Sequence, residues 1–254
     1  MQIISKKLYI ESPFEYASKG CSSGRTARIA IISRKLLFIL LFLPLPASAF
    51  FGPTTPTHVP SIMIDPSGDA QNPGRVIDDS FERGITLQCA EALKKELINK
   101  FENIRVVLTR FPGETVGNYQ NANFANRLDI DFYLHIGFYQ ELDAKPKVYL
   151  YNFSYNDDFI TKKNELTLCK YDQAHLFNYA RTRQFGLILE EQLNTFKKLF
   201  TNCHLSKLPF KPLIGVKSPA IAFEAGLQNK DDWQQYIKPL VASLEPIINL
   251  LSKK

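Results

Sequence analysis

The sequence predicts an α/β fold, a mostly parallel sheet with helices on both faces in a single domain, on three observations. Short segments rich in β-branched and aromatic residues alternate along the chain with longer segments whose apolar residues recur every three or four positions. Turn residues close the short segments, as where Ile62-Met63-Ile64 runs into Asp65-Pro66-Ser67-Gly68. At 254 residues, with 45% hydrophobic and 22% charged residues, the chain has the composition of a globular protein with room for a full core.

The elements follow in order. Ile62 to Ile64 is a buried strand ending in a loop that reaches Pro73-Gly74. Asp79-Ser80-Phe81-Glu82 opens a helix, whose buried stripe is Ile85, Cys89, Leu93, Leu97 and Phe101, widened by Ala90 and Ile98. Arg105 to Arg110 is a second strand, closed by Pro112-Gly113, and Val116 to Leu128 a short helix. Asp131 to Tyr139 is too apolar and aromatic for a loop and too short for a core helix, hence a buried strand; Lys147 to Tyr155 is another. Gln173 to Phe200 reads as a long amphipathic helix with Leu176, Phe185, Leu187 and Leu193 on its apolar side. Ser218 to Glu224 is the last strand, and Trp233 to Leu251 the closing helix, bent or interrupted at Pro239 and Pro246. In such sheets ligands lie beyond the carboxyl ends of the strands.

Residues 1–49 form a leader. Arg34-Lys35 precedes the apolar run Leu36 to Leu45 and the small-residue site Ala47-Ser48-Ala49, the order of an export signal cleaved after Ala49. The alternative is an uncleaved membrane anchor, against which stand the shortness of the run and Pro44 and Pro46. Either way the protein is expected in the periplasm or cell envelope, with a membrane contact only through an uncleaved leader. The leader carries Lys6, Lys7, Lys19, Arg25, Arg28, Arg34 and Lys35 against Glu11 and Glu15, so it holds nearly all of the net charge of +6. A nucleic-acid partner is therefore not expected. Residues 50–60 are proline-punctuated and read as a linker with an exposed His58, and residues 61–254 as the domain. Of the cysteines beyond the leader, Cys89 sits at core spacing; Cys169 and Cys203 are a candidate bridge.

The loop after the first strand resembles the opening motif of the zinc-dependent N-acetylmuramoyl-L-alanine amidases, Asp-Pro-Gly-His-Gly-Gly followed by Pro-Gly. Asp65, Pro66, Pro73 and Gly74 match. The resemblance continues through Val106 to Arg110, through Ala125-Asn126 and Asp131, and through Pro219-Ala-Ile-Ala-Phe-Glu224-Ala-Gly226 with Asn229. It implies that fold over the whole domain, with peptidoglycan or a muramoyl-peptide fragment as partner. In that family two histidines and one glutamate hold zinc, and a second glutamate assists the attacking water. The glutamates match Glu82 and Glu224; the histidine positions fall on Gly68 and Gly137, and Asn121 stands where an Arg precedes Ala-Asn. A glycine offers no side chain to zinc, and catalytic zinc ordinarily takes three protein ligands.

Each site residue also has a plainer role. Glu82 with Asp79 is a capping-box arrangement, Glu224 ends a strand, and His135, on the same strand face as Gly137, is either a satisfied core histidine or a displaced ligand. Asp69, one residue past Gly68, makes a rebuilt Asp69, Glu82 and His135 metal site conceivable, the one case in which zinc or another cofactor is expected. Tyr149, Tyr151, Phe153 and Tyr155 share one strand face, suited either to sugar rings or to packing under a helix. The expected function is a catalytically degenerate, wall-binding or regulatory protein of the amidase family. An active amidase with a rebuilt metal site and a structural envelope protein are the alternatives.

Overall fold

The computed structural model describes residues 58–117, 119–143, 145–154 and 170–253. The leader, most of the linker, Tyr155 and Cys169 lie outside the described residues. The strands are β1 (Ser61–Pro66), β2 (Val76–Ile77), β3 (Ser80–Phe81), β4 (Arg105–Leu108), β5 (Phe132–Gln140), β6 (Val148–Phe153), β7 (His204–Leu208) and β8 (Ala220–Leu227). The α-helices are α1 (Glu82–Lys100), α2 (Gln120–Leu128), α3 (Tyr179–Leu193) and α4 (Ile237–Leu251). Six strands form one sheet in the order β4-β1-β5-β8-β6-β7, and β2 with β3 makes a small antiparallel ribbon. β4, β1, β5 and β8 run parallel, whereas β6 is antiparallel to β8 and carries β7 parallel to itself. The sheet is therefore mixed and mostly parallel.

Alternation along the strands sorts side chains onto two faces. Ile62, Ile64, Phe132, Leu134, Ile136, Phe138, Ile221 and Phe223 pack in one core with the buried sides of α1, α3 and α4. Met63, Tyr133, Ala220 and Ala222 pack with Ala122 and Ala125 of α2 in the other. By the same alternation Asp65, His135, Gly137 and Glu224 face the α2 side, which is how three strongly apolar strands carry polar residues without placing them in the main core.

Several expected boundaries and faces are corrected. Ile98 and Leu187, assigned to helix stripes, are about half exposed. The segment expected as one helix from Gln173 to Phe200 is a 3₁₀ stretch (Tyr171–Asn178), then α3, then a 3₁₀ turn (Asn194–Phe196). The breaks fall at asparagines whose amides serve other backbone: Asn178 Nδ2 donates to the Lys217 carbonyl, and Asn194 bonds both the N–H and the carbonyl of Cys203. β7, His204-Leu-Ser-Lys-Leu208, is a polar, mostly exposed edge strand with little periodic signal in the sequence. His58 is exposed as expected, and its Nε2 also lies 2.9 Å from Asp131, whose carboxylate accepts the Ser61 N–H and hydroxyl at 3.0 and 2.8 Å. That clasp joins the entry of β1 to the entry of β5.

Candidate functional site: two carboxylates on one guanidinium

Glu82 is the first residue of α1, and it does not cap the helix. The N-cap is Phe81, with no side-chain cap, and Asp79 instead pairs with Lys230 at 2.9 Å. The Glu82 carboxylate turns toward the sheet: Oε2 accepts the Arg75 N–H and Oε1 accepts the Phe138 N–H, both at 3.0 Å. The Pro73-Gly74 turn wraps it closely. Gly74 has φ +77°, and a Cβ there would stand 2.7 Å from Glu82 Oε2, so the turn requires glycine.

Glu224, on β8, pairs in register with Gly137 of β5. A Cβ at Gly137 would lie 3.1 Å from Glu224 Oε1 and 3.3 Å from Glu82 Oε1, so this glycine opens the space in which both carboxylates meet. Arg75 fills that space. Its Nη2 donates to Glu224 Oε1 at 2.9 Å, its Nη1 donates to the Phe138 carbonyl at 3.1 Å, and Nη1 stands 3.8 Å from Glu82 Oε1. Both glutamate side chains are buried, whereas the arginine side chain is 48% exposed and roofs them. Burial works against the Arg75 charge, but Glu224 first and Glu82 next hold the guanidinium above the ordinary arginine value. A planar, permanently charged fork suits this bridging position better than lysine would.

Arg75 escaped the sequence reading. Its position directly after Pro73-Gly74 and seven residues before Glu82 was visible, but its side chain bonds the Phe138 carbonyl and Glu224, both remote in sequence.

The other candidates lie apart from this clasp. Asp69 Oδ1 accepts the N–H groups of Gln71 and Asn72 at 2.8 and 2.7 Å, and Oδ2 accepts that of Val116 at 3.3 Å. These bonds outweigh burial and hold its carboxyl below the usual range. It is the organiser of its own loop. His135 Nδ1 is 2.7 Å from Asp65 Oδ2, with both side chains buried. Asp69 and His135 line one cavity, and Glu82 does not line it. The rebuilt trio is thus not gathered, and among the described residues no group of three or more His, Cys, Asp or Glu is placed to hold a metal. Gly68 sits at φ +77° with its Cβ position 2.8 Å from Arg83 Cβ. As arranged, the residues around Glu82 and Glu224 do not fit a zinc ion: they supply carboxylates without an imidazole, and a guanidinium is hydrogen-bonded between them.

The aromatic residues of β6 flank the clasp. Tyr149 stacks on Tyr151 with ring centroids 6.1 Å apart, Tyr151 stacks on Phe210 at 5.4 Å, and the Arg75 guanidinium lies 6.0 Å from the Tyr139 ring. The row divides: Tyr149 remains 38% exposed beside the site, whereas Phe153 is buried against His175 of the 3₁₀ stretch.

Comparison with known proteins agrees with this architecture. The family profile for N-acetylmuramoyl-L-alanine amidase matches residues 62–239. Over 75 residues the chain is 36% identical to the N-acetylmuramoyl-L-alanine amidase CwlM of Bacillus licheniformis, covering 30% of each chain. Over 75 residues it is also 35% identical to a sporulation-specific N-acetylmuramoyl-L-alanine amidase of Bacillus subtilis, covering 30% of this chain and 29% of that one. The match thus spans about three-tenths of these curated relatives. Among solved structures, the catalytic domain of the amidase CwlV from Bacillus (Paenibacillus) polymyxa superposes with a TM-score of 0.56 at 14% identity, over 75% of this chain and 98% of that one. An amidase from Clostridium difficile 630 gives 0.57 at 17%, over 78% and 99%. At these identities the superpositions establish the fold alone. With the profile spanning most of the chain, the protein belongs to the N-acetylmuramoyl-L-alanine amidase family.

Proposed function

We propose that this chain is an exported, peptidoglycan-associated member of its family that has given up zinc-dependent hydrolysis and acts as a wall-binding or regulatory module. The observation that carries the reading is the Arg75 bridge: a side chain of the protein itself occupies the space between Glu82 and Glu224. By the resemblance, these two glutamates are the zinc ligand and the carboxylate that assists water, and the missing histidines are Gly68 and Gly137. Amide hydrolysis by that route needs a metal to activate water. A guanidinium hydrogen-bonds and neutralises, but it carries no water ligand.

The wall-binding half of the reading is supported by the relatives, which are N-acetylmuramoyl-L-alanine amidases, and by the exposed Tyr149 ring stacked on Tyr151, whose faces suit sugar rings. Export is supported by the leader motif. The muramic acid and peptide-stem region is the proposed ligand, seated at the open side of Arg75.

The test is incubation of the purified protein with intact sacculi, scoring sedimentation and release of stem peptides together. The expected result is retention on sacculi without cleavage between muramic acid and L-alanine. Release of stem peptides at that bond, abolished by Glu224→Gln, would overturn the reading and make the chain an active amidase. A folded protein that fails to sediment at low salt would leave a structural envelope role.

A further inference from the structure

β4 is the last strand on its side of the sheet, and only half of its backbone is paired. The Arg105 N–H donates to the Pro60 carbonyl at 2.8 Å and the Thr109 N–H to that of Ile64 at 3.1 Å, so Arg105, Val107 and Thr109 turn their peptide groups to β1. Alternate residues of a strand present these groups to opposite edges. Val106 and Leu108 therefore turn theirs outward, where no strand among the described residues meets them. An unpaired edge is a template for a further strand, which proteins ordinarily blunt or cover.

This edge lies in a trough rather than on a flat surface. A cavity of about 770 Å³ runs along Val106 to Thr109, with Lys94 of α1 on one side and Phe124 and Arg127 of α2 on the other. Arg127 marks the amino end of β4, since the carbonyl of its neighbour Leu128 accepts Arg105 Nη2 at 3.1 Å. Phe111, 65% exposed, marks the carboxyl end. Among the described residues neither Lys94 nor Arg127 has an ion-pair partner; the Arg127 guanidinium lies over the Phe124 ring at 5.8 Å. The acid in the lining, Glu114, accepts the Phe111 N–H at 2.7 Å and so makes the carboxyl end the less cationic one.

The trough thus has free N–H and carbonyl groups on its floor, a cation on each wall and an open aromatic ring at one end. Side chains of an added strand point to the α1 wall and the α2 wall in turn, so neighbouring acids on it reach both cations. We infer that β4 takes an extended acidic segment of a partner protein as a further strand, its carboxylates meeting Lys94 and Arg127 and an apolar side chain meeting Phe111. A second copy of this chain fits poorly, because edge-to-edge pairing brings Lys94, Arg105 and Arg127 against their own counterparts. The surface is separate from the carboxylate clasp, and the inference does not depend on the wall-binding reading.

The experiment titrates the full-length protein with the capped peptide Asp-Glu-Val-Thr-Val-Phe and with its reverse sequence, which sample the two strand directions, and follows calorimetry and backbone amide NMR. One of the two is expected to bind, to move the Val106 and Leu108 amide protons downfield and to slow their exchange with solvent. Lysines in place of the peptide acids, or Lys94→Glu with Arg127→Glu in the protein, should weaken binding about tenfold or more. N-methylation of every second peptide amide should abolish binding in one phase and leave it in the other, because only one edge of the peptide meets β4. Absence of binding by both peptides at millimolar concentration overturns the proposal, as does binding indifferent to N-methylation in either phase, which would show that charge alone holds the peptide. A concentration-dependent dimer lost in Val106→Pro would give the edge to a second copy and overturn it as well.

Discussion

Arg75 Nη2 stands 2.9 Å from Oε1 of Glu224, a residue 149 positions further along the chain. The contact ties the loop after β1 to the middle of β8 and compensates two buried carboxylates with one cation. Removing the cation leaves both acids in a poorly hydrated place without it.

Arg75→Ala is accordingly expected to destabilise the domain by about 1–2 kcal/mol, a figure kept low because the guanidinium is half exposed. Urea unfolding of the variant beside wild type measures it. Arg75→Lys should recover part of the loss, since an ammonium supplies charge but cannot reproduce the fork that reaches Glu224 and the Phe138 carbonyl together. Full recovery by lysine would show that charge alone matters.

The Asp131 clasp predicts a pH dependence. Burial raises the Asp131 pKa, but hydrogen bonds from Ser61 and the proximity of His58 outweigh it and the carboxyl titrates below its ordinary value. A depressed folded pKa means stability that is present above the unfolded value, about 3.9, and lost as pH falls through the folded one. Asp131→Asn should therefore cost about 1–2 kcal/mol at pH 7, and the gap from wild type should close below about pH 4. Denaturation series at several pH values check the sign.

Two glycines, one in the loop after β1 and one in α1, give opposite expectations. Gly68→Ala places a Cβ at φ +77° and 2.8 Å from Arg83 Cβ, and should cost about 1–3 kcal/mol. Gly84→Ala, inside α1 with nothing within 4 Å of the new Cβ, should gain about 0.5–1 kcal/mol from helix propensity. Midpoints of chemical denaturation for the two variants check both signs.

Cys89 is fully buried, and burial alone pushes its thiol far above the usual range. Iodoacetamide should leave it unmodified in the native protein and alkylate it on unfolding, read by mass spectrometry.

Local pattern carried the sheet and its flanking helices into view, because strands buried on both faces read as apolar runs and α1 shows its stripe at Ile85, Cys89, Leu93 and Leu97. It singled out Glu82 and Glu224 as well, through separate motifs. What it could not show was what those carboxylates touch. Glu82 looked like a helix cap because a cap is a local device, whereas its partners are Arg75 across a turn and Phe138 across the sheet. Asp69 looked free to bind a metal because the Asx-type bonds to Gln71 and Asn72 depend on the loop's conformation. The edge strand β7 was hidden by its polarity, and the breaks at Asn178 and Asn194 by bonds to remote backbone.

The left-handed backbone at Gly68 also bears on how this lineage is able to change. A histidine arriving there by mutation would meet a strained φ and the Cβ of Arg83, and would find Arg75 already seated between the two carboxylates. Gly137 is more permissive, since what crowds it is the movable ends of two glutamates. Position 137 alone, however, supplies a single imidazole. A metal centre built here from imidazoles at 68 and 137 would therefore need a loop rebuilt, a helix turn shifted and an arginine displaced together, so the geometry of one glycine ties three changes into one.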